Sequence, residues 1–173
     1  MRILLIGERC LDTFIYGECP RRSPEAPCIV FKPIRIETNE GMAANVRANI
    51  LSLAPDTQID FFHQTKTISK LRHIDEASGQ QLLRVDDGDD GFEPDFWTKV
   101  VDGMAANKDG YSTCIFSDYN KGLLTEKVIE AITEIMHEIG ALVLLDSKKK
   151  LGEWSKNIDF VKINEKEFKA LIA

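Results

Sequence analysis

Residues 111–146 read YSTCIFSDYNKGLLTEKVIEAITEIMHEIGALVLLD, and this stretch decides the fold. Tyr111 to Phe116 is a short apolar run that turns polar at Ser117 and Asp118, the pattern of a buried strand. Thr125 then fits a helix N-cap, and Glu126 beside it suits the positive end of the helix dipole. Val128, Ile129, Ile132, Ile135, Met136 and Ile139 form one apolar helical face, and Gly140 closes the helix. Ala141 to Leu145 is a second buried strand, ending at Asp146. A strand, a helix and a strand in this order predict two neighbours in a parallel sheet.

The same alternation extends in both directions. Residues 2–7 are a continuous apolar run ending in Gly7, which suits a strand buried on both faces. Gly41 to Leu53 reads as a helix with Ala43, Val46, Ile50 and Leu53 on one face and Pro55 as its stop. Strands are expected at 58–62, 67–74 and 80–86, then a loop through Gly88, Asp89, Asp90 and Gly91. Pro94 fits the first position of a helix whose stripe is Phe96, Trp97, Val100, Val101 and Met104. Phe160 to Ile163 is a last strand, and a helix opens at Glu165 after Asn164. Residues 13–40 carry Pro20, Pro24, Pro27 and Pro33, and read as short strands with proline-bearing turns in a small sheet outside the main one. The expectation is an α/β fold whose parallel sheet is covered on both faces. Glu8 and Asp12, Asp118, Asp146 and Asn164 recur where strands are expected to end. Ligands of open α/β sheets bind at those carboxyl ends. Each residue alone reads better as a turn or cap former, but four strand ends together point to a site.

Composition narrows the function. The chain has 173 residues, 43% hydrophobic and 29% charged, with a formal net charge of −6. That is enough apolar material for a core. An acidic balance argues against general binding to nucleic acid or an anionic membrane, and the run Lys148-Lys149-Lys150 reads as a solvated face. No apolar stretch is long enough to span a bilayer, and the N-terminus lacks the pattern of a signal peptide, so a cytoplasmic location is expected. Cys10, Cys19, Cys28 and Cys114 lack zinc-ligand spacing and read as free thiols. Neither a Gly-x-Gly-x-x-Gly nor a P-loop occurs, which leaves a nucleotide-only Rossmann domain without support.

Residues 7–17, GERCLDTFIYG, resemble the first motif of the heptose 7-phosphate kinases, with Glu8 at a position that is usually Asp. These are PfkB-type, ribokinase-like sugar kinases that also form the front domain of the bifunctional ADP-heptose synthesis enzyme. Further stretches are similar in the same order: Arg22-Ser23-Pro24-Glu25-Ala26-Pro27, Gly41-Met42-Ala43-Ala44-Asn45-Val46, Thr67 to Arg72, Gln80 to Asp86, Ser117-Asp118-Tyr119-Asn120-Lys121-Gly122, Asp146-Ser147-Lys148 and Asn164-Glu165-Lys166-Glu167. Met42 stands where the family has a second glycine. The resemblance implies a three-layer Rossmann-like (ribokinase-like) α/β fold with a mostly parallel sheet and a small β lid within about 13–40. It makes residues 1–173 a partial, truncated domain.

What the resemblance implies for the site is specific. Asp12 and Asn45 would bind sugar hydroxyls, Gly41 would let backbone approach the ligand, and Asp118 and Lys121 would complete the substrate site. Asn45 also reads as an ordinary helix-surface amide, and Lys121 and Lys148 as solvated lysines. Asn164 and Glu167 would lie near the phosphates with Lys148, Glu167 acting on Mg²⁺ through water. Their spacing equally fits an N-cap with its partner at the third helical position. ATP and Mg²⁺ are the implied cofactors and a sugar phosphate the implied substrate. No catalytic residue is expected in this chain. The family's Gly-Ala-Gly-Asp, which supplies the base and anion hole, does not occur in it. A strand–helix unit also looks deleted, since only about a dozen residues separate Leu53 from Thr67. Partners expected are a second copy joined through the lid, or a second polypeptide completing the sheet. An unpaired apolar edge on the last strand would otherwise favour aggregation. A non-catalytic module that binds sugar phosphates or a protein partner is the alternative.

Overall fold

The computed structural model describes residues 1–89, 96–107 and 110–172. They form two compact units. Cys10–Gly41 and Lys66–Asp89 make the smaller unit, and the other described residues make the larger. Asp90, Gly91 and Pro94, read above as loop and helix start, lie outside the described residues.

The larger unit is built on five strands in the order β4 (Gln58–Phe62), β1 (Arg2–Gly7), β7 (Thr113–Asp118), β8 (Leu142–Ser147), β9 (Phe160–Lys162). Every pairing in this sheet is parallel. Successive side chains point to opposite faces. Leu4, Ile6, Cys114, Phe116, Val143 and Leu145 share the face that is fully buried. They pack with Phe96, Val100 and Met104 of α2 (Phe96–Asn107) and with Ile129, Ile132 and Met136 of α3 (Glu126–Glu138). Ile135, expected on that helical stripe, is exposed, because the packed stripe runs 129, 132, 133, 136 and leaves 135 to one side. Thr125 caps α3 by accepting a hydrogen bond from the Val128 N–H at 3.3 Å. The far end closes as a Schellman turn, with Ala141 N bonded to Met136 O and Gly140 N to His137 O.

The opposite face is covered more thinly. Helix α1 (Ala43–Leu53) packs there against β1 and β7. Gly7 permits this approach, because a Cβ on it would overlap the Ser117 carbonyl oxygen and the Ala43 Cβ. The expected stripe on α1 fails at its end: Leu53 is 88% exposed, since the last turn meets no partner among the described residues. Farther along the same face, Leu142 is 50% and Phe160 61% exposed. Parallel sheets are normally buried on both faces, so this side of β8 and β9 is an open apolar surface in the described residues.

The smaller unit is a mixed sheet in the order β3 (Ile29–Met42), β2 (Arg9–Arg22), β5 (Ile68–Asp75), β6 (Gln81–Asp87). Here the structure corrects three expectations. β2 and β3 are long strands rather than short ones, and Pro20 and Pro33 lie inside them, leaving only Pro24 and Pro27 in the connecting turn. Pro33 is tolerated because β3 is an edge strand with one side free of ladder bonds. Asp12 is within β2 and not at a strand tip, because the chain stays extended from Arg9 onward. Finally, β3 continues through Gly41 and Met42, and the helix opens only at Ala43. Met42 forms the junction at φ 57, ψ −133, a conformation that costs a side-chain-bearing residue about 1–3 kcal/mol.

Replacing Gly7 by Ala is expected to lower the unfolding free energy by about 1–3 kcal/mol through overpacking against backbone. A urea titration followed by tryptophan fluorescence measures it, and an unshifted midpoint would show that β1 and β7 are not held at the spacing described.

Candidate functional site

The strand order places a topological switch point between β1 and β7: the chain leaves β1 for β4 on one side and then returns to β7 on the other. The carboxyl ends of these two strands carry two buried acids. Glu8 and Asp118 are each 1% exposed. Glu8 Oε2 accepts the Tyr119 N–H at 2.8 Å and Oε1 the Lys121 N–H at 3.0 Å. Asp118 Oδ1 accepts the Asn120 N–H at 2.9 Å between them. Three consecutive backbone donors are thus held by two carboxylates, with Asn120 in the left-handed region at φ 57. Burial pushes the Glu8 carboxyl above its ordinary value, the Tyr119 N–H opposes this, and the Asp118 charge adds to the rise.

Asp118 is balanced from β8. Ser147 Oγ donates to its Oδ2 at 2.6 Å, and Lys149 Nζ reaches the same oxygen at 2.6 Å. Lys149 is nearly buried, so the lysine run is not wholly the solvated face that its composition suggests. Lys148 turns the other way and donates to Glu167 Oε1 at 3.0 Å. Glu167 Oε2 accepts the Asn164 N–H at 2.8 Å, while Asn164 Oδ1 accepts the Glu167 N–H at 2.9 Å. The pair therefore forms a reciprocal capping box on α4 (Glu165–Ile172), one of the two arrangements its spacing allows. The Asn164 backbone and then the Lys148 ammonium hold the Glu167 carboxyl below the ordinary glutamate range. Ser147, Lys148, Lys149, Lys150, Glu167 and Leu171 border a cavity of about 210 Å³. Ammonium groups around such a space suit phosphate oxygens as point charges. No group of three or more His, Cys, Asp or Glu that could hold a metal occurs among the described residues, and Glu167 contributes a single carboxylate.

The smaller unit carries Asp12 and Gly41 together. A Cβ on Gly41 would overlap Asp12 Oδ2 and the Cys10 sulfur, so only glycine lets β3 lie this close to the carboxylate. Arg72 Nη1 donates to Asp12 Oδ1 at 2.6 Å, and its guanidinium lies 4.9 Å from the Phe14 ring centre. The Cys10 thiol, 3.5 Å from Asp12 Oδ2, is pushed up to about 11 by burial and is no nucleophile at neutral pH. The β2–β5–β6 register gives this sheet two unlike faces. Asp12, Lys70, Arg72, Arg84 and Asp86 share the polar one, while Thr13, Ile15, Leu71, His73, Leu83 and Val85 share the other.

Of the residues singled out from sequence, the structure joins Asp12 with Gly41, Lys148 with Glu167 and Asn164, and Asp118 with the turn that bears Lys121. Asn45 lies exposed on α1, in the other unit from Asp12. Four residues of these networks were not assigned a task from sequence: Glu8, Arg72, Ser147 and Lys149. Glu8 had one visible signal, an acid directly after the first buried strand.

Because the Glu167 carboxyl titrates lower in the folded chain, its share of stability is present above the ordinary value of 4.5 and is lost as pH falls through the depressed folded value. Amide exchange at Asn164 and Glu167 is expected to stay slow above that window and to quicken below it. Equal protection across the window would show that the carboxylate does not hold the helix end.

No family model matches the chain. Among curated proteins it is 30% identical to the bifunctional protein HldE of Hyphomonas neptunium, over 99% of this chain and 40% of that protein. The HldE of Psychromonas ingrahamii is 30% identical over 99% of this chain and 40% of its own length. That of Geotalea uraniireducens is 29% identical over 86% and 36%. The chain thus spans about two fifths of the length of the curated relatives it matches. Among solved structures, a carbohydrate kinase from Agrobacterium tumefaciens superimposes with a TM-score of 0.63 at 16% identity, covering 98% of this chain and 62% of that one. Phosphofructokinase-2 of Escherichia coli in complex with fructose-6-phosphate gives 0.62 at 17% identity, over 99% and 64%. Arabidopsis thaliana ribokinase complexed with ribose and ATP gives 0.56 at 11%, over 98% and 62%. In sequence the chain is a relative of part of the bifunctional HldE proteins, and in architecture it carries the ribokinase-like α/β fold of the PfkB carbohydrate kinases.

Proposed function

We propose that this chain is the sugar-binding part of an ATP-dependent kinase for a heptose 7-phosphate-like sugar phosphate. In this reading it becomes active only when another polypeptide segment supplies the base and the anion hole. The observation that carries the proposal is the Asp12–Gly41 juxtaposition. A carboxylate packed against a bare backbone edge and fixed from its other oxygen by Arg72 would offer a sugar hydroxyl one strong, preorganised acceptor. In the larger unit, Asn45 would supply an amide and Asp118 and Lys121 would supply strand-tip groups, the substrate roles that the sequence resemblance implies.

The phosphate side rests on Lys148, Asn164 and Glu167. Lysines at the cavity edge suit the nucleotide's phosphates, and Glu167 would hold a water-coordinated Mg²⁺, an ion that keeps most of its own waters. In the transfer itself the sugar oxygen bonds to the γ-phosphorus, the bond to the ADP oxygen breaks, and the hydroxyl proton passes to a base outside this chain. Bound Mg²⁺ would neutralise the charge that develops on the phosphate oxygens. The chain's own residues bind and orient the sugar.

In calorimetric titrations with a heptose 7-phosphate, Asp12→Asn is expected to weaken binding at least tenfold. Unchanged heat would remove this pocket. With ATP and Mg²⁺ added, the chain alone is expected to show no turnover.

We further propose that a second copy covers the face of the smaller sheet that bears Leu83 and Val85, both exposed, in line with the lid-mediated dimer implied by the sequence motifs. The double variant Leu83→Lys, Val85→Glu is expected to shift the sizing profile from dimer to monomer. A wild-type chain that is already monomeric would dismiss that surface as an interface. The alternative, a non-catalytic module that binds a sugar phosphate or a protein partner, gains from the short connection between α1 and β5 and from the open apolar side of β8 and β9.

A further inference from the structure

We propose that Glu8 is a positioning residue, whose carboxylate fixes the turn after β7 so that Lys121 is presented to the phosphate-bearing sugar. The inference rests on the sugar-kinase reading above. It begins from an accounting of donors. Tyr119, Asn120 and Lys121 offer three successive N–H groups around a left-handed residue, a geometry that makes a small anion-binding concavity. Here the anions are the chain's own. Glu8 takes the first and third donors and Asp118 takes the second, at 2.8, 3.0 and 2.9 Å. The concavity is therefore filled, and the turn's contribution to a ligand falls to the side chains it carries.

Energetics separate the two acids. Asp118 has Lys149 and Ser147 as partners, so its burial is balanced by a cation and a hydroxyl. Among the described residues Glu8 is held by backbone donors, and it is equally buried beside a like charge. Holding an ionised carboxylate there is costly unless each oxygen is hydrogen-bonded. Glu8 meets that condition only while the turn keeps this conformation. The carboxylate and the turn thus fix one another, across 113 positions of sequence between Glu8 and Lys121. Length matters as well as charge. An aspartate at the same Cα withdraws the carboxylate by one carbon–carbon bond, about 1.5 Å, and cannot hold both N–H groups at these distances without moving the strand tip.

The test uses the whole chain, with native-state amide exchange followed by NMR and calorimetric titration with a heptose 7-phosphate. Glu8→Gln keeps the shape and turns a donor toward one of the two N–H groups, while Glu8→Asp keeps the charge and shortens the reach. In both variants the Tyr119 and Lys121 amides are expected to exchange at least tenfold faster, with amides of β7 and β8 unchanged, and sugar-phosphate affinity is expected to fall about tenfold. In a Lys121→Gln background, Glu8→Gln is expected to add less than a twofold loss, because the positioned group is already gone. A purely structural Glu8 would instead lower affinity equally in both backgrounds, and that result overturns the proposal. Amides that stay protected, or amides that loosen with affinity intact, overturn it too. Loss of binding in Asp12→Asn with binding kept in Glu8→Gln refutes the role of Glu8 alone. A wild-type chain that binds no heptose 7-phosphate refutes the sugar-kinase reading and, with it, the task assigned to Lys121.

Discussion

Two carboxylates taken out of water at the switch point between β1 and β7 set the conditions for the rest of the larger unit. Glu8 and Asp118 can be buried side by side only because backbone N–H groups, a serine hydroxyl and the Lys149 ammonium satisfy them. Those partners come from the tips of β7 and β8, so the tips of three neighbouring strands are tied together by charge-assisted hydrogen bonds. Such bonds are stronger than neutral ones and directional. They convert the crevice where this fold class binds ligands into a preorganised surface.

The two faces of the main sheet have been treated differently. One face is dry, filled by α2 and α3 around Phe116, Leu124 and Met136. Among the described residues the other carries α1 over β1 and β7, and Leu142 and Phe160 remain exposed beyond it. Apolar area left in water forgoes roughly 25 cal/mol per Å². That is an energetic cost the described residues carry on this side. The smaller unit shows a comparable division within one sheet. Its register sends Asp12 and Arg72 to one face and Leu83 and Val85 to the other, so one sheet presents a polar and an apolar face with no extra elements.

Chemistry in the smaller unit depends on close approach. Gly41 is required because the space a Cβ would take is filled by the Asp12 carboxylate and the Cys10 sulfur. One residue later, Met42 occupies a backbone conformation that favours glycine. A bulky side chain is thus held under backbone strain directly before the first helix.

The sequence alone determined the periodic elements, because burial writes itself locally. The apolar runs of β1, β7 and β8, the Thr125 cap and the Gly140 stop are each legible within a few residues. The motif order determined the relationship to sugar kinases for the same reason, since glycines and acids at strand ends are constrained where they stand. Tertiary structure alone decided what those acids do. The partners of Glu8 lie more than a hundred positions away, and the burial of Lys149 is set by a carboxylate on another strand, so no local pattern could separate them from solvated charges. The same holds for Asn164 and Glu167, whose spacing permits two roles until the Lys148 contact and the reciprocal cap are seen. Strands 9–22 and 29–42 are longer than their prolines suggest, because proline argues locally against a strand, whereas Pro33 lies on the edge strand β3 and Pro20 lies past Gly17, where the ladder from β2 to β5 ends, and only the sheet order and register define these positions.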